Sequence, residues 1–465
     1  MPDDLPDAAL PRRHLASTAA GLTMGAAAAF ASAGAMAQAP AAALQPAAGV
    51  TARLVARWEV ERLNRILATD TPAFAGLPVT YTPARNAVRL YRVSYPSFAP
   101  ERGNRPVALT GLLALPEAPA TRLPLVSYQH GTVYGRQQVP SFPEQSPETQ
   151  LMIAQFAGQG YALIGADYVG MGESAEPQGY MVKGSHQQAT ADLVTAARAL
   201  LAANGLADTA LFLAGWSQGG YVTMAMLERL EQTGVAVRAA ATASAPIDPF
   251  ATLAGFLNFP RPNDADWLTT LFILASFSFE NYYGLPGLAR SVLRAEHYDL
   301  CRRAYEGQAV DPAQIPTRLR DLVAEPYFDP GFFAQSAFGR LLAANHGYRW
   351  VIRSAVRNFY GEADEAIRPG IGRMAMDYQR AMGNDRVEAV STGPTSHRGT
   401  FARAVPAWKT CFDGLAAGWS SAREGVAVML PGRRAAALRP PLASRGKGRG
   451  PQRPPASLHG ASGGP

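Results

Sequence analysis

The pentapeptide Gly215-Trp216-Ser217-Gln218-Gly219 sets a serine between two glycines in the pattern Gly-x-Ser-x-Gly, with a further glycine at 220. A short apolar run, Ala210 to Ala214, precedes it, and a helical pattern from Tyr221 to Glu231 follows. Strand, glycine-flanked serine and helix together make the layout of a nucleophile elbow. Its turn is too tight for side chains on the neighbours, and glycine removes the obstructing Cβ. A serine hydroxyl is a weak nucleophile at its own pKa. It needs a base to take its proton, and that base needs a carboxylate to fix its tautomer and hold its charge.

Seven histidines are available as the base. His14 and His459 lie near the two ends, His297 and His346 fall in a stretch read below as a cap, and His186 opens a helix as a surface or packing residue. His130 ends a strand. His397 alone lies in a loop after the last expected strand, which makes it the candidate base. The candidate acid is Asp364, in Tyr360-Gly-Glu-Ala-Asp364; Glu362 and Glu365 compete, and the Tyr-Gly-x-x-Asp spacing favours Asp364. The chain order is then Ser217, Asp364, His397. An acyl-transfer intermediate carries an oxyanion that needs two donors. The backbone N–H of Gln218, at the start of the elbow helix and its dipole, is one. The second is Thr132 N–H in His130-Gly131-Thr132, where Gly131 allows a close approach, with Val133 as the alternative.

These residues need a scaffold. Strands are expected at 87–93, 107–115, 124–129, 161–165, 210–214, 235–242, 356–360 and 386–390, and helices at 51–68, 184–203, 221–231, 370–382 and 402–415. In the helix at 184–203, Ala189, Leu193, Val194, Ala197, Leu200 and Leu201 share one face. Alternating strands and helices predict an α/β fold, a mostly parallel sheet with helices on both faces, and the first two strands suggest an antiparallel start. About a hundred residues, roughly 247–347, separate the sixth and seventh strands, far more than a direct connection needs. They are rich in aromatics, among them Phe250, Phe256, Phe259, Trp267, Phe272, Phe277, Phe279, Tyr282 and Tyr283. The stretch reads as a helical cap that shapes an apolar pocket, with most of these rings forming its own core.

Five motifs carry a resemblance: Ser127-Tyr-Gln-His-Gly-Thr132, Gly165-Ala-Asp-Tyr-Val-Gly-Met-Gly-Glu173, Gly215-Trp-Ser-Gln-Gly-Gly220, Tyr360-Gly-Glu-Ala-Asp364 and Ser396-His397. Over about Ala87 to Leu415 the chain resembles the α/β-hydrolase superfamily, and within it the secretory lipase group. The resemblance implies an eight-stranded fold with a helical cap and cofactor-free hydrolysis of carboxylic esters through an acyl-enzyme on Ser217. The oxyanion loop departs from the pattern, reading His-Gly-Thr where many esterases carry His-Gly-Gly-Gly. A peptidase or amidase on the same scaffold is the alternative, since amides and esters share the tetrahedral intermediate. A silent hydrolase fold acting as a binding protein is a third reading.

Composition bounds the rest. A hydrophobic content of 48% suits a large core, and 465 residues fit one large α/β domain with an insertion, expected at 51–430. The formal charge of +7 sits at one end, since residues 431–465 hold seven cations and no acid. The remainder is near neutral, so no nucleic-acid partner is expected. That basic segment, rich in proline and glycine and matching nothing in the family, reads as a disordered tail. Residues 1–37 read as a twin-arginine-like export signal, with Arg12-Arg13 before an alanine-rich stretch and Ala35-Met36-Ala37 as the cleavage site. Residues 38–50 read as a linker, and the mature protein as periplasmic or extracellular. The expected partner is a small-molecule or lipid ester, with no stable membrane span and a transient lipid-interface contact through the cap. No cofactor and no metal site are implied, and whether Cys301 and Cys411 pair is left open.

Overall fold

The structure is a computed structural model that describes residues 43–417. The expected export signal at 1–37 and the basic tail at 431–465 lie outside the described residues. Among the described residues there are nine strands: β1 Thr51–Trp58, β2 Val88–Ala99, β3 Arg105–Pro116, β4 Arg122–Gln129, β5 Ala162–Ala166, β6 Ala207–Trp216, β7 Ala239–Ala243, β8 Ala355–Tyr360 and β9 Val387–Ser391. They form one sheet in the order β1-β2-β3-β5-β4-β6-β7-β8-β9. The first four in that order pair antiparallel, and from β5 onward every pairing is parallel. Every residue of β5 and β7 is buried, as parallel strands covered on both faces require.

The successor of β4 lies on one side of it and β6 on the other, so the chain changes direction across the sheet at β4. Open α/β sheets place their sites at the carboxyl ends of the strands beside such a switch point. Gln129, Trp216, Ala243, Tyr360 and Ser391 all end strands at that one edge, and the loops bearing the candidate residues leave from there.

Two apolar clusters sandwich the sheet. One combines the inner faces of the helices Lys183–Ala203 and Gln218–Gln232 with the cap; the other combines the helices Pro147–Gln155 and His397–Ala417 with the residues around Trp58. All six apolar residues expected on the inner face of Lys183–Ala203 are buried. Cys301 belongs to the first cluster and Cys411 packs against the second, so the sheet separates them and both are free thiols.

The structure departs from the sequence-based expectations at several elements. The sheet has nine strands rather than eight. Residues 51–58, expected as the start of a helix, form β1. Ala, Leu and Arg favour a helix weakly, but β2 offers an unpaired edge, and Thr51 to Trp58 pair along it from Ser94 to Val88. Tertiary pairing overrides a weak propensity here. The strand expected at 235–242 is shorter, Ala239–Ala243, and the helix Pro147–Gln155 had no expected counterpart. Between β7 and β8 the chain is helical, as the cap reading anticipates, in short helices from Pro249 to Ala344. Val50 is 5% exposed and bridges to Ala47, so the end of the expected linker packs against the body.

His186 lies on the inner face of Lys183–Ala203, 2% exposed, with neither ring nitrogen hydrogen-bonded. Its ring meets Tyr168 edge-on at 4.8 Å, and burial pushes its pKa down to about 3. An unfolded imidazole binds a proton below about 6.5, whereas His186 stays neutral far below that, so unfolding takes up a proton in the window between. Its contribution to stability is complete above about pH 6.5 and is lost as pH falls. Replacing His186 by Phe should therefore flatten the slope of unfolding free energy against pH, between about pH 4 and 6, by up to about 1.4 kcal/mol per pH unit. Denaturant titrations across that range measure it, and an unchanged slope would refute a buried neutral imidazole.

Candidate active site

Ser217 sits between β6 and the elbow helix Gln218–Gln232 with φ +56° and ψ −125°, a region few residues other than glycine enter. Its backbone N–H donates to Ala243 O at 2.9 Å, which ties the turn to β7. A Cβ on Gly215 would lie 2.2 Å from Gly219 O, and one on Gly219 would lie 1.9 Å from Gln129 O. No other residue type fits either place, so the glycines let the elbow seat against its own strand and against the end of β4. Ser217 is 8% exposed, and its hydroxyl makes no hydrogen bond among the described residues.

Asp364 lies four residues beyond β8, fully buried. Its Oδ2 accepts from the Ser244 hydroxyl at 2.6 Å, and its Oδ1 accepts from the backbone N–H groups of Ala366 and Ile367, both at 2.8 Å. His397 Nδ1 is 3.1 Å from both oxygens. Burial opposes the charge on Asp364, but the His397 ring and the other donors outweigh it and hold the carboxyl below its ordinary range. The competitors have other partners: Glu362 accepts from the Ser391 hydroxyl, and Glu365 accepts the backbone N–H of His397.

His397 was expected in a loop ahead of a helix starting at 402; it is instead the first residue of the terminal helix, His397–Ala417. Ser396 accepts the N–H of Thr400 through its carbonyl, which continues the helix back to that point. His397 is 4% exposed, its carbonyl accepts from Trp216 Nε1 at 3.2 Å, and its ring lies 5.1 Å from that of Trp216, the residue before Ser217. Its Nε2 has no partner among the described residues. Burial opposes protonation, but Asp364 and then Glu365 more than compensate, so His397 titrates above its ordinary 6.5. Its ring is thus oriented from Nδ1 and free at Nε2.

On the opposite wall, Gln129 ends β4 and His130-Gly131-Thr132 follows. The N–H groups of Gln218, Thr132 and Val133 have no acceptor among the described residues. Thr132 lines the same cleft as Ser217, and Val133 does not. The Thr132 hydroxyl pairs with the Tyr180 hydroxyl at 3.2 Å. The cleft is walled by apolar residues, among them Leu253, Trp267, Leu271 and Ile367, and by no charged side chain. Of the cap aromatics only Trp267 lines it; Phe256, Phe272, Phe277, Phe279 and Tyr282 are core, and Phe259 is 69% exposed. Among the described residues no group of three or more His, Cys, Asp or Glu is placed to hold a metal ion. Ser244 was not anticipated from the sequence; its one signal is its place directly after β7, at the same edge as Ser217.

The comparisons with known proteins agree with this architecture. A family model described as serine aminopeptidase, S33, matches residues 139–263, a span that contains the elbow and ends before Asp364 and His397. No curated protein matches the chain. The structure is similar to a solved protein from Legionella pneumophila at 21% identity, covering 81% of this chain and 99% of that one, with a TM-score of 0.69. It is also similar to the rice cell wall degrading esterase LipA from Xanthomonas oryzae, at 19% identity over 80% and 97% of the two chains and a TM-score of 0.65. Candida antarctica lipase A is similar at 16% identity over 74% and 77%, with a TM-score of 0.52. The mixed sheet, its switch point and these likenesses define the class: this chain has the α/β-hydrolase fold.

Asp364→Asn tests the electrostatics of the site. With the carboxylate gone, burial is the dominant influence on His397, and its titration should move from above 6.5 to below it. Nitrogen-15 NMR of the imidazole measures this. A titration that stays high would show that another group holds the proton.

Proposed function

We propose that the protein is a serine carboxylesterase or lipase acting through an acyl-enzyme on Ser217. One observation carries the reading: a carboxylate-backed imidazole with a free Nε2, its ring 5.1 Å from that of Trp216, the residue before an elbow serine that lines a cleft walled by apolar side chains. In this mechanism Ser217 Oγ attacks the ester carbonyl carbon while His397 Nε2 takes the hydroxyl proton. Asp364 holds the Nδ1–H tautomer and stabilises the imidazolium. The N–H groups of Gln218 and Thr132 donate to the oxyanion, in an environment dry enough for each donor to count. Collapse breaks the ester C–O bond, and His397 returns the proton to the departing alcohol. Water then enters, gives a proton to the same nitrogen and attacks the acyl carbon; the bond from that carbon to Ser217 Oγ breaks, and His397 returns the proton to Oγ as the acid leaves.

The substrate side favours an ester with an apolar acyl group. The matching family model is described as serine aminopeptidase, and peptidase action is therefore the second reading. Gripping the α-ammonium of a peptide needs a carboxylate, and none lines this cleft. Assays of p-nitrophenyl acyl esters of graded length against aminoacyl and peptidyl anilides separate the two, with ester turnover expected to dominate.

Location and lipid contact belong to the same proposal. Arg12-Arg13 and Ala35-Met36-Ala37 support export from the cytoplasm. No helix among the described residues is long and apolar enough to cross a membrane. Phe259 and Trp267, exposed on the cap, support a transient contact with a lipid surface.

Ser217→Ala should lower ester turnover by about 10⁴ to 10⁶, as triad knockouts do, while circular dichroism and thermal unfolding stay unchanged. A fluorophosphonate probe should label the wild type and not the variant. Turnover near the wild-type level in Ser217→Ala would overturn the reading.

A further inference from the structure

Glu148 is a buried carboxyl that the reaction above does not use. It is the second residue of the helix Pro147–Gln155 and only 5% exposed, where a glutamate is seldom found without a strong local reason. Both its oxygens accept the backbone N–H of Gly131, at 2.9 and 3.1 Å, and Oε2 also accepts from the Tyr128 hydroxyl. Tyr128, 1% exposed and stacked on Phe401, holds the carboxylate from the other side.

Gly131 is the residue immediately before Thr132. Its own carbonyl faces His130 Nδ1 at 2.8 Å. Gly131 is therefore gripped twice, at its N–H by Glu148 and at its C=O by the neighbouring imidazole. A trans peptide is planar, so the N–H of Thr132 points opposite to the Gly131 carbonyl. Fixing both groups of Gly131 fixes the direction of the Thr132 N–H. Glycine is the residue whose φ and ψ wander most when unrestrained, so here the restraint matters most. A Cβ at 131 would sit tightly against the Trp216 ring at 3.3 Å and in ordinary contact with Glu148 at 3.5 Å.

We propose that Glu148 is a positioning residue for the oxyanion site, clamping Gly131 so that the Thr132 N–H is aimed at the developing oxyanion before substrate arrives. The proposal rests on the acyl-enzyme reading above. Burial outweighs the Tyr128 and Gly131 donors and the charge on His397, and leaves the Glu148 carboxyl raised to about 7. The clamp itself is a matter of reach, since a carbonyl oxygen at this place can accept the Gly131 N–H with or without the charge.

Two substitutions separate reach from charge. Glu148→Gln keeps a carbonyl oxygen in place for Gly131 and removes the charge; Glu148→Asp keeps the charge and withdraws it by one methylene. Loss of an oxyanion donor costs about 10² to 10³ in kcat, so misaiming one in Glu148→Asp should lower kcat about 10- to 100-fold. KM should stay within about twofold, because the oxyanion exists only in the transition state. Glu148→Gln should remain within about fivefold of wild type. A trifluoromethyl ketone, which forms a hemiketal oxyanion on the serine, should lose affinity for each variant in step with kcat. If Glu148→Asp does not fold, Tyr128→Phe, which frees the carboxylate to swing off Gly131, takes its place with an expected kcat loss of about 3- to 10-fold at constant KM. The opposite order, with Asp active and Gln crippled, or a change confined to KM, overturns the proposal. An inactive Ser217→Ala beside a fully active Glu148→Asp defeats this inference alone, whereas an active Ser217→Ala defeats the reading beneath it.

Discussion

The backbone at Ser217 is held where few residues rest, and the surroundings of the site are arranged to keep it there. A serine at φ +56° carries roughly 1–3 kcal/mol of strain. It persists because three strands hold the turn. Ser217 N–H is bonded to the end of β7, Gly215 lies under the first turn of the elbow helix, and Gly219 lies against the end of β4. Relaxing φ would break the first contact and drive backbone into backbone at the other two. Strain at one residue is thus balanced by packing across half the sheet. Among the described residues the hydroxyl, at the cleft, has no hydrogen-bond partner, and the N–H of Gln218 at the helix start has no acceptor.

Around that point the buried polar groups work as a set. Asp364 takes donors from four residues, which makes an ionised carboxylate tolerable at complete burial. That charge in turn reverses what burial alone would do to His397. His130 shows the contrast: equally buried but facing only carbonyls, it is pushed down to about 4 and stays neutral. Two imidazoles at one sheet edge therefore take opposite protonation behaviour, because one has a carboxylate behind it and the other does not. The neutral one suits a structural post in the oxyanion loop, and the raised one suits a base.

How much of this was legible in the sequence depended on distance along the chain. The elbow is local: strand, Gly-x-Ser-x-Gly and helix fall within some twenty-five residues, and each constraint is written in adjacent residue types. Asp364 and His397 were legible because each follows a strand closely, and parallel strands deliver their following loops to one edge. Ser244 was not, since its hydrogen bond to Asp364 spans 120 positions and a serine after a strand has no distinguishing pattern. Glu148 was hidden differently. Its helix has weak periodicity because nearly all of it is buried, so neither the helix nor its inward carboxylate stood out. β1 was misjudged because an edge strand with mostly exposed residues lacks the alternation that marks a half-buried one.

The sequence by itself determined the local backbone chemistry: where a positive φ was needed, where a Cβ was forbidden, and which segments alternated between strand and helix. Those properties depend on neighbours a few residues apart, whose covalent geometry and sterics hold in any context. Only the tertiary structure decided which of three clustered acids meets the imidazole, and that a glutamate seventeen residues away grips Gly131. These choices turn on differences of an ångström between groups brought together by sheet pairing, and hydrogen bonding and desolvation are sharp functions of that distance.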